Sequence, residues 1–194
     1  MRRLRTIFAA ALLPVALAGG AAGCGNDRAK APDVSVIGPF QGTVEVNYPD
    51  QGIAFSAPKG WDLATGKAPL VATAQTGLAT IAVWRYPRTE PLPRTKAQLK
   101  AARDSLIAAA KARDATFTPI KAAIIRVAGA PAIQIRATET IAGRARTVRS
   151  THVYKDGAEI VIDAYAPAED FNRVDSTAFR AVLRTLKVSK PRKA

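Results

Sequence analysis

His152 is the only histidine in this 194-residue chain, and Ser150 stands two positions before it in a stretch that alternates like a strand. Residues two apart on a strand share a face, so a hydroxyl and an imidazole lie side by side. That pairing is half of a nucleophile–base arrangement. The G-x-S-x-G turn that would present a serine for attack is absent from the sequence. His152 therefore reads as a polar residue of a sheet, with no catalytic residue expected. One histidine and one cysteine exclude the usual zinc sets. The pairs Asp156/Glu159 and Glu169-Asp170 lack EF-hand spacing, and the second pair follows Pro167 as acidic residues do at a helix start. No phosphate loop or dinucleotide fingerprint occurs, so neither metal nor cofactor is expected. Arg144, Arg146 and Arg149 gather around the Gly143 turn, and a suitable register brings Arg136 beside Arg149. Like charges placed opposite each other are unfavourable unless something anionic lies between them. The four form a candidate anion-binding cluster, with a solvated hairpin tip as the alternative. Trp61 and Trp84 each sit beside an apolar strand pattern and read as core more readily than as ligand-stacking platforms.

The other chemistry-bearing residue is Cys24, the lone cysteine. Arg2, Arg3 and Arg5 precede an apolar run from Ile7 to Ala18, and the small residues of Gly19-Gly20-Ala21-Ala22-Gly23 lead into the thiol. This is an export signal. It resembles the lipobox of bacterial lipoproteins, with Ala21 where leucine is usual. The resemblance implies cleavage before Cys24 and acylation of its thiol, including a palmitate-class chain. The mature protein is then held by lipid on the outer face of the cytoplasmic membrane. Ala16-Leu17-Ala18 also fits an ordinary A-x-A cut, so simple secretion stays open. A spanning helix is disfavoured because the apolar run is about 12 residues, short of the ~20 needed. A single exported thiol has no internal disulfide partner, and acylation gives it a use.

Removal of residues 1–23, which hold three arginines and no acidic residue, leaves 171 residues and +11 of the +14 net charge. The basic excess runs from Arg85 to Lys193. In an exported protein the partners nearest to hand are anionic lipid, wall polymer or an envelope protein, and nucleic acid is not expected. A chain of this length builds one domain with a core that needs no disulfide.

Residues 24–42, with Pro32, Gly38 and Pro39, read as a flexible membrane tether. Val44, Val46 and Tyr48, then Ile53 and Phe55, alternate around Asp50-Gln51-Gly52 as a hairpin. Leu70 to Gln75 and Leu78 to Tyr86 form a second pair around Thr76-Gly77. Thr95 and Gln98 have capping-box spacing, and Leu99, Ala102, Leu106 and Ala110 form one stripe, with Ile107 alongside, of a helix ending near Asp114. Four antiparallel strands follow at about 117–127, 132–140, 145–155 and 158–166. Their turns fall at Gly129, Gly143 and Asp156-Gly157, the last a type I′ signal. Ile133, Ile135 and Ala137 share one face, as do Ile160, Ile162 and Ala164. A final helix is expected from a cap at Asp175, with Phe179, Val182, Leu183 and Leu186 buried. Residues 189–194 read as a basic tail.

The order strands, long helix, meander, helix makes an α+β domain over residues 43–188. Its largely antiparallel sheet of about eight strands is flanked by a central and a C-terminal helix. Three stretches resemble the PsbP/Mog superfamily and its LpqN-type envelope lipoproteins. They are Ile53-Ala54-Phe55-Ser56-Ala57-Pro58-Lys59-Gly60-Trp61, Val127-Ala128-Gly129-Ala130-Pro131-Ala132 and the helix from Asp175 to Leu186. The resemblance implies a non-enzymatic binding or assembly module at the cell envelope, and it transfers no functional residue. A carrier for a small amphiphilic or anionic ligand held between sheet and helix is the alternative, and an enzyme is less favoured.

Overall fold

The computed structural model describes residues 35–192; Cys24, the signal and most of the tether lie outside them. Among the described residues ten strands divide into two sheets, where one of about eight strands was expected. The hairpin of β1 (Thr43–Tyr48) and β2 (Ile53–Pro58) does not join the main sheet. Instead β2 pairs on its other side with β10 (Lys187–Val188), a two-residue strand that the sequence pattern is too short to reveal. Gly52 makes this possible. Its φ is +61°, and any Cβ there would run into the Ser189 carbonyl. Beyond β10, the Ser189 amide donates to the Gly52 carbonyl and the Arg192 amide to the Pro49 carbonyl, so the start of the basic tail is tied down.

The main sheet has seven strands, all antiparallel, in the order β3-β4-β5-β9-β8-β7-β6. An unexpected short strand, β3 (Asp62–Thr65), forms one edge beside β4 (Leu70–Thr76) and β5 (Ala79–Pro87). The meander runs through β6 (Thr118–Val127), β7 (Ala130–Ile141), β8 (Arg144–Lys155) and β9 (Ala158–Ala166). Each of its turns pairs a left-handed residue with a left-handed glycine, at 128–129, 142–143 and 156–157. Two successive positive φ values match the twist of the strands they join.

One face of this sheet carries the larger core. Ile160, Ile162 and Ala164 of β9 and Ile81 and Val83 of β5 meet Ile53 and Phe55 of β2 there, together with the C-terminal helices. Trp61 is in this core. So is Ile37, within the expected tether, and the Gly38 amide donates to Thr76 Oγ1. The tether therefore packs on the domain earlier than its composition suggests, because one isoleucine is enough to anchor a segment with no periodicity.

The C-terminal helix starts at α2 (Ala168–Val174), with Glu169 and Asp170 in its first turn, and continues as α3 (Arg180–Thr185). Asp175 is not its cap. It opens a π-helical turn, Asp175–Phe179, that joins the two segments and is itself buried. The cap signal failed because Asp175 has a tertiary partner, Arg149 of β8, whose Nη1 lies 2.6 Å from Asp175 Oδ1.

On the opposite face lies α1 (Lys96–Arg113). Its capping box forms as expected: Thr95 Oγ1 accepts from the Gln98 amide, and Gln98 Oε1 accepts from the Thr95 amide. Leu99 packs with Ile133, Ile135 and Tyr154 in a smaller second core.

Phe179 has no exposed surface and fills the space between the π-helical turn and the sheet. Phe179→Ala is expected to lower stability by about 3–5 kcal/mol in chemical denaturation, through lost transfer energy plus the cavity left behind.

Candidate functional site

Alternation along β8 and β9 sends every second residue toward α1. From β8 these are Val148, Ser150 and His152; from β9 they are Glu159, Val161, Asp163 and Tyr165. Leu99 at the start of the helix packs close to the sheet. Toward its end the helix offers Ala109 and Ala110, whose short side chains leave a cavity of about 340 Å³. Leu106, Phe117, Ile135, Ala137, Val148 and Val161 supply apolar wall, while Tyr86, Tyr165, Arg88, Arg113 and Glu139 stand around the polar strip. A second hollow of about 240 Å³ lies alongside and shares Arg88, Leu106 and Glu159 with the first.

The polar strip is a connected chain. Ser150 Oγ lies 3.0 Å from His152 Nε2, and His152 Nδ1 lies 2.7 Å from Glu159 Oε1. Arg88 Nη2 donates to Glu159 Oε2. At the other end Ser150 faces Asp163 directly across the β8–β9 ladder. The His152 and Glu159 side chains are 12% and 5% exposed, so this chain is largely desolvated. Low local dielectric strengthens such bonds and raises the cost of any unpaired member.

Charge states follow from these surroundings. Burial pushes the Glu159 carboxyl up, but the hydrogen bonds and charges of His152 and Arg88 outweigh it and hold the group below the usual carboxylate range. Asp163 goes the other way: burial raises it, and the Ser150 hydrogen bond with the charges of His152 and Arg113 only partly compensates. Glu139 is also raised, first by burial and then by the charges of Asp114 and Asp163 against Arg113. Glu159 and Asp163, on one strand, thus have opposite tendencies because only Glu159 is bonded by both His152 and a guanidinium.

Ser150, His152 and Glu159 stand in the order nucleophile, base and orienting acid. Ser150, however, sits in mid-strand between Ile135 of β7 and Asp163 of β9, with ladders on both sides. Main-chain groups there serve the sheet, whereas acyl transfer needs free donors aimed at a developing oxyanion. Asp163 is the cross-strand neighbour of the same serine. The arrangement is built to present hydrogen-bonding atoms to the cavity.

The structure pairs Arg136 with Arg149 but does not gather all four arginines of the candidate anion cluster. Arg144 is exposed at the turn, and Arg146, opposite Glu139, has the α1-facing parity. Arg136 and Arg149 are register partners on the other face. Arg149 is met by the protein's own Asp175, which also pairs with Arg180 Nε at 3.7 Å. Arg136 also donates to Asn172 Oδ1 at 3.1 Å, and both guanidiniums lie over the Phe171 ring, at 4.9 and 5.8 Å from its centroid. Trp84 is half-buried and stacks with Tyr86 at a 6.4 Å centroid separation. Among the described residues no group of three His, Cys, Asp or Glu side chains is placed to hold a metal ion.

Sequence reasoning paired His152 with Ser150 but missed Glu159 and Asp163. A signal was available. The Asp156-Gly157 turn fixes the β8–β9 register, and counting outward from it sets Tyr154 against Glu159 and Ser150 against Asp163.

Because Glu159 is held low in the folded protein, its contribution is complete above the unfolded value of about 4.3 and is lost as pH falls through the folded value. Glu159→Gln is expected to cost about 1.5–3 kcal/mol at neutral pH. Chemical denaturation across a pH series should show that gap shrinking as the pH drops below about 4.

No protein-family model matches the chain, and no curated protein does. Solved structures do. The solution structure of cyanobacterial PsbP (CyanoP) from Synechocystis is similar with a TM-score of 0.59 at 13% identity, covering 78% of this chain and 95% of that one. The crystal structure of LpqN, involved in cell envelope biogenesis of Mycobacterium tuberculosis, is similar with a TM-score of 0.55 at 16% identity, covering 76% and 91%. At these identities the likeness concerns the fold. The seven-stranded antiparallel sheet, its central and C-terminal helices and the accompanying three-stranded sheet form a PsbP-like α+β domain.

Proposed function

We propose that this chain is a lipid-anchored, extracytoplasmic binding module of the cell envelope that holds a small amphiphilic molecule between α1 and the sheet without transforming it. The observation that carries this reading is the cavity of about 340 Å³, within the range of small-molecule sites, with one polar wall and several apolar ones. An amphiphile needs both. The Ser150–His152–Glu159 chain supports recognition over turnover, since the serine sits in mid-strand with ladders on both sides. Envelope placement draws support from the fold shared with LpqN and from the export signal that the sequence pattern suggests over residues 1–23, just before Cys24. No described helix is long and apolar enough to cross a membrane. Attachment in this reading comes from lipid.

Two experiments test the two halves. Ala110 lines the cavity, and Ala110→Phe fills it from the helix side. Mass spectrometry of solvent extracts is expected to find an amphiphile co-purifying with the wild-type protein and at least tenfold less with the variant, at an unchanged melting profile. Equal recovery from both places the ligand elsewhere. For the anchor, Cys24→Ala is expected to abolish incorporation of a fatty-acid probe, and persistent labelling counts against it.

A further inference from the structure

Lys121 of β6, Arg136 of β7 and Arg149 of β8 are successive register partners across three strands. Partners in register share a face, with Cβ atoms about 5 Å apart. That face is the one away from the cavity: Arg136 stands between the cavity-lining Ile135 and Ala137, and Arg149 between Val148 and Ser150. The adjoining rows on the same face, Thr138 with Thr147 and Gln134 with Thr151, are neutral. A fourth cation comes from the closing helix, where Arg180 Nε lies 3.7 Å from Asp175 Oδ2, outside hydrogen-bonding distance. Among the described residues Asp175 is the one carboxylate paired with any of the four, and its close contact is to Arg149. Asp170, in the preceding turn, is bonded by Arg173. Four cations against one carboxylate leave an excess of three positive charges.

Like charges in register are unfavourable, and water is the ordinary screen. Here water is partly excluded. The Arg149 side chain is 14% exposed and Arg136 is half-buried. Burial first, and then the charges of Arg136 and Arg180, draw the Arg149 guanidinium down against the pull of Asp175. The two strand arginines are nonetheless held in place, both over the Phe171 ring and Arg136 also by Asn172. A cation over an aromatic face is fixed without being neutralised. Lys121 and Arg180 are exposed, so their long side chains can close on an incoming group from the strand side and the helix side. Guanidiniums match pairs of phosphate oxygens, and lysine adds a point charge. A tetrahedral oxyanion offers oxygens in several directions and so meets cations arriving from both sides.

We propose that Lys121, Arg136 and Arg180, backed by Arg149, form a binding site for a phosphate group. The phosphate belongs either to a soluble ester or to a lipid headgroup, and no covalent bond changes on binding. Because the site lies on the opposite face of the sheet, it does not depend on what the cavity holds.

The test uses the full-length protein in dodecyl maltoside with isotope-labelled arginine, followed by NMR of the side-chain Nε–H signals. Those of Arg136 and Arg149 are buried without a hydrogen-bond partner, so slow exchange with water keeps them observable. Inorganic phosphate is expected to shift both signals saturably, and sodium chloride at equal ionic strength is not. Combining Lys121→Gln with Arg180→Gln changes exposed side chains and keeps both reporters. That variant should bind phosphate about tenfold more weakly. Combining Arg94→Gln with Arg144→Gln removes the same charge from exposed positions elsewhere and should change binding by less than about twofold. Phosphatidylglycerol added to the micelles separates the sources. A response at lower phosphate concentration than with inorganic phosphate assigns a headgroup, and an equal or weaker one assigns a soluble ester. Equal losses in the two double variants would mean diffuse charge and overturn the site. So would shifts that chloride reproduces, or no response to either probe. Ala110→Phe should leave phosphate binding intact, so failure of the cavity and failure of this site are told apart.

Discussion

Coverage of both faces of a single antiparallel sheet is the constraint on which this structure depends. A strand turns successive side chains to opposite faces, so each central strand must satisfy two environments at once. β9 does this with Ala158, Ile160, Ile162, Ala164 and Ala166 on one side and Glu159, Val161, Asp163 and Tyr165 on the other. The first set is dry and meets the C-terminal helices and the small sheet. The second meets α1, where polar groups are affordable because they bond one another. A slip of one residue in register would exchange the sets and bury both carboxyls in the apolar core.

The dry face also holds a charged pair whose position shapes the closing helix. Arg136 and Arg149 face each other across β7 and β8 and would repel if left alone. Asp175 enters from the helical side, with Asn172 and the Phe171 ring covering the same guanidiniums. The π-helical turn begins at that aspartate. Burial draws the Arg149 guanidinium down, and Asp175 opposes that shift. Breaking such a pair costs far more than the pair itself contributes, because the surviving charge stays buried.

The cavity on the other face is a consequence of unequal filling. Leu99 and Leu106 reach the sheet over Ile133, Ile135 and Tyr154. Farther along α1, Ala109 and Ala110 do not. Alanine favours the helix while supplying almost no packing volume. A helix can therefore be locally stable where its contact with the sheet is incomplete. The polar chain lies under that gap, on strands rigid enough to hold its hydrogen-bond distances.

Much of this was legible in the chain itself. The capping box at Thr95, the four meander strands and their glycine turns, and the common face of Ser150 and His152 all follow from short-range rules of backbone geometry. Those rules act over a few residues and leave a periodic trace. The Asp156-Gly157 turn even carried the register that sets Asp163 against Ser150. What no local pattern determined was which distant segments meet: β5 beside β9, β10 beside β2, Ile37 in the core, Asp175 against Arg149, and α1 resting so that its alanines stand over the polar strip. Those contacts join residues far apart in sequence. They form only when the whole chain finds the arrangement that buries its apolar surface and pairs its buried charges together. The faces were therefore written in the sequence, and the cavity between them was decided by tertiary packing.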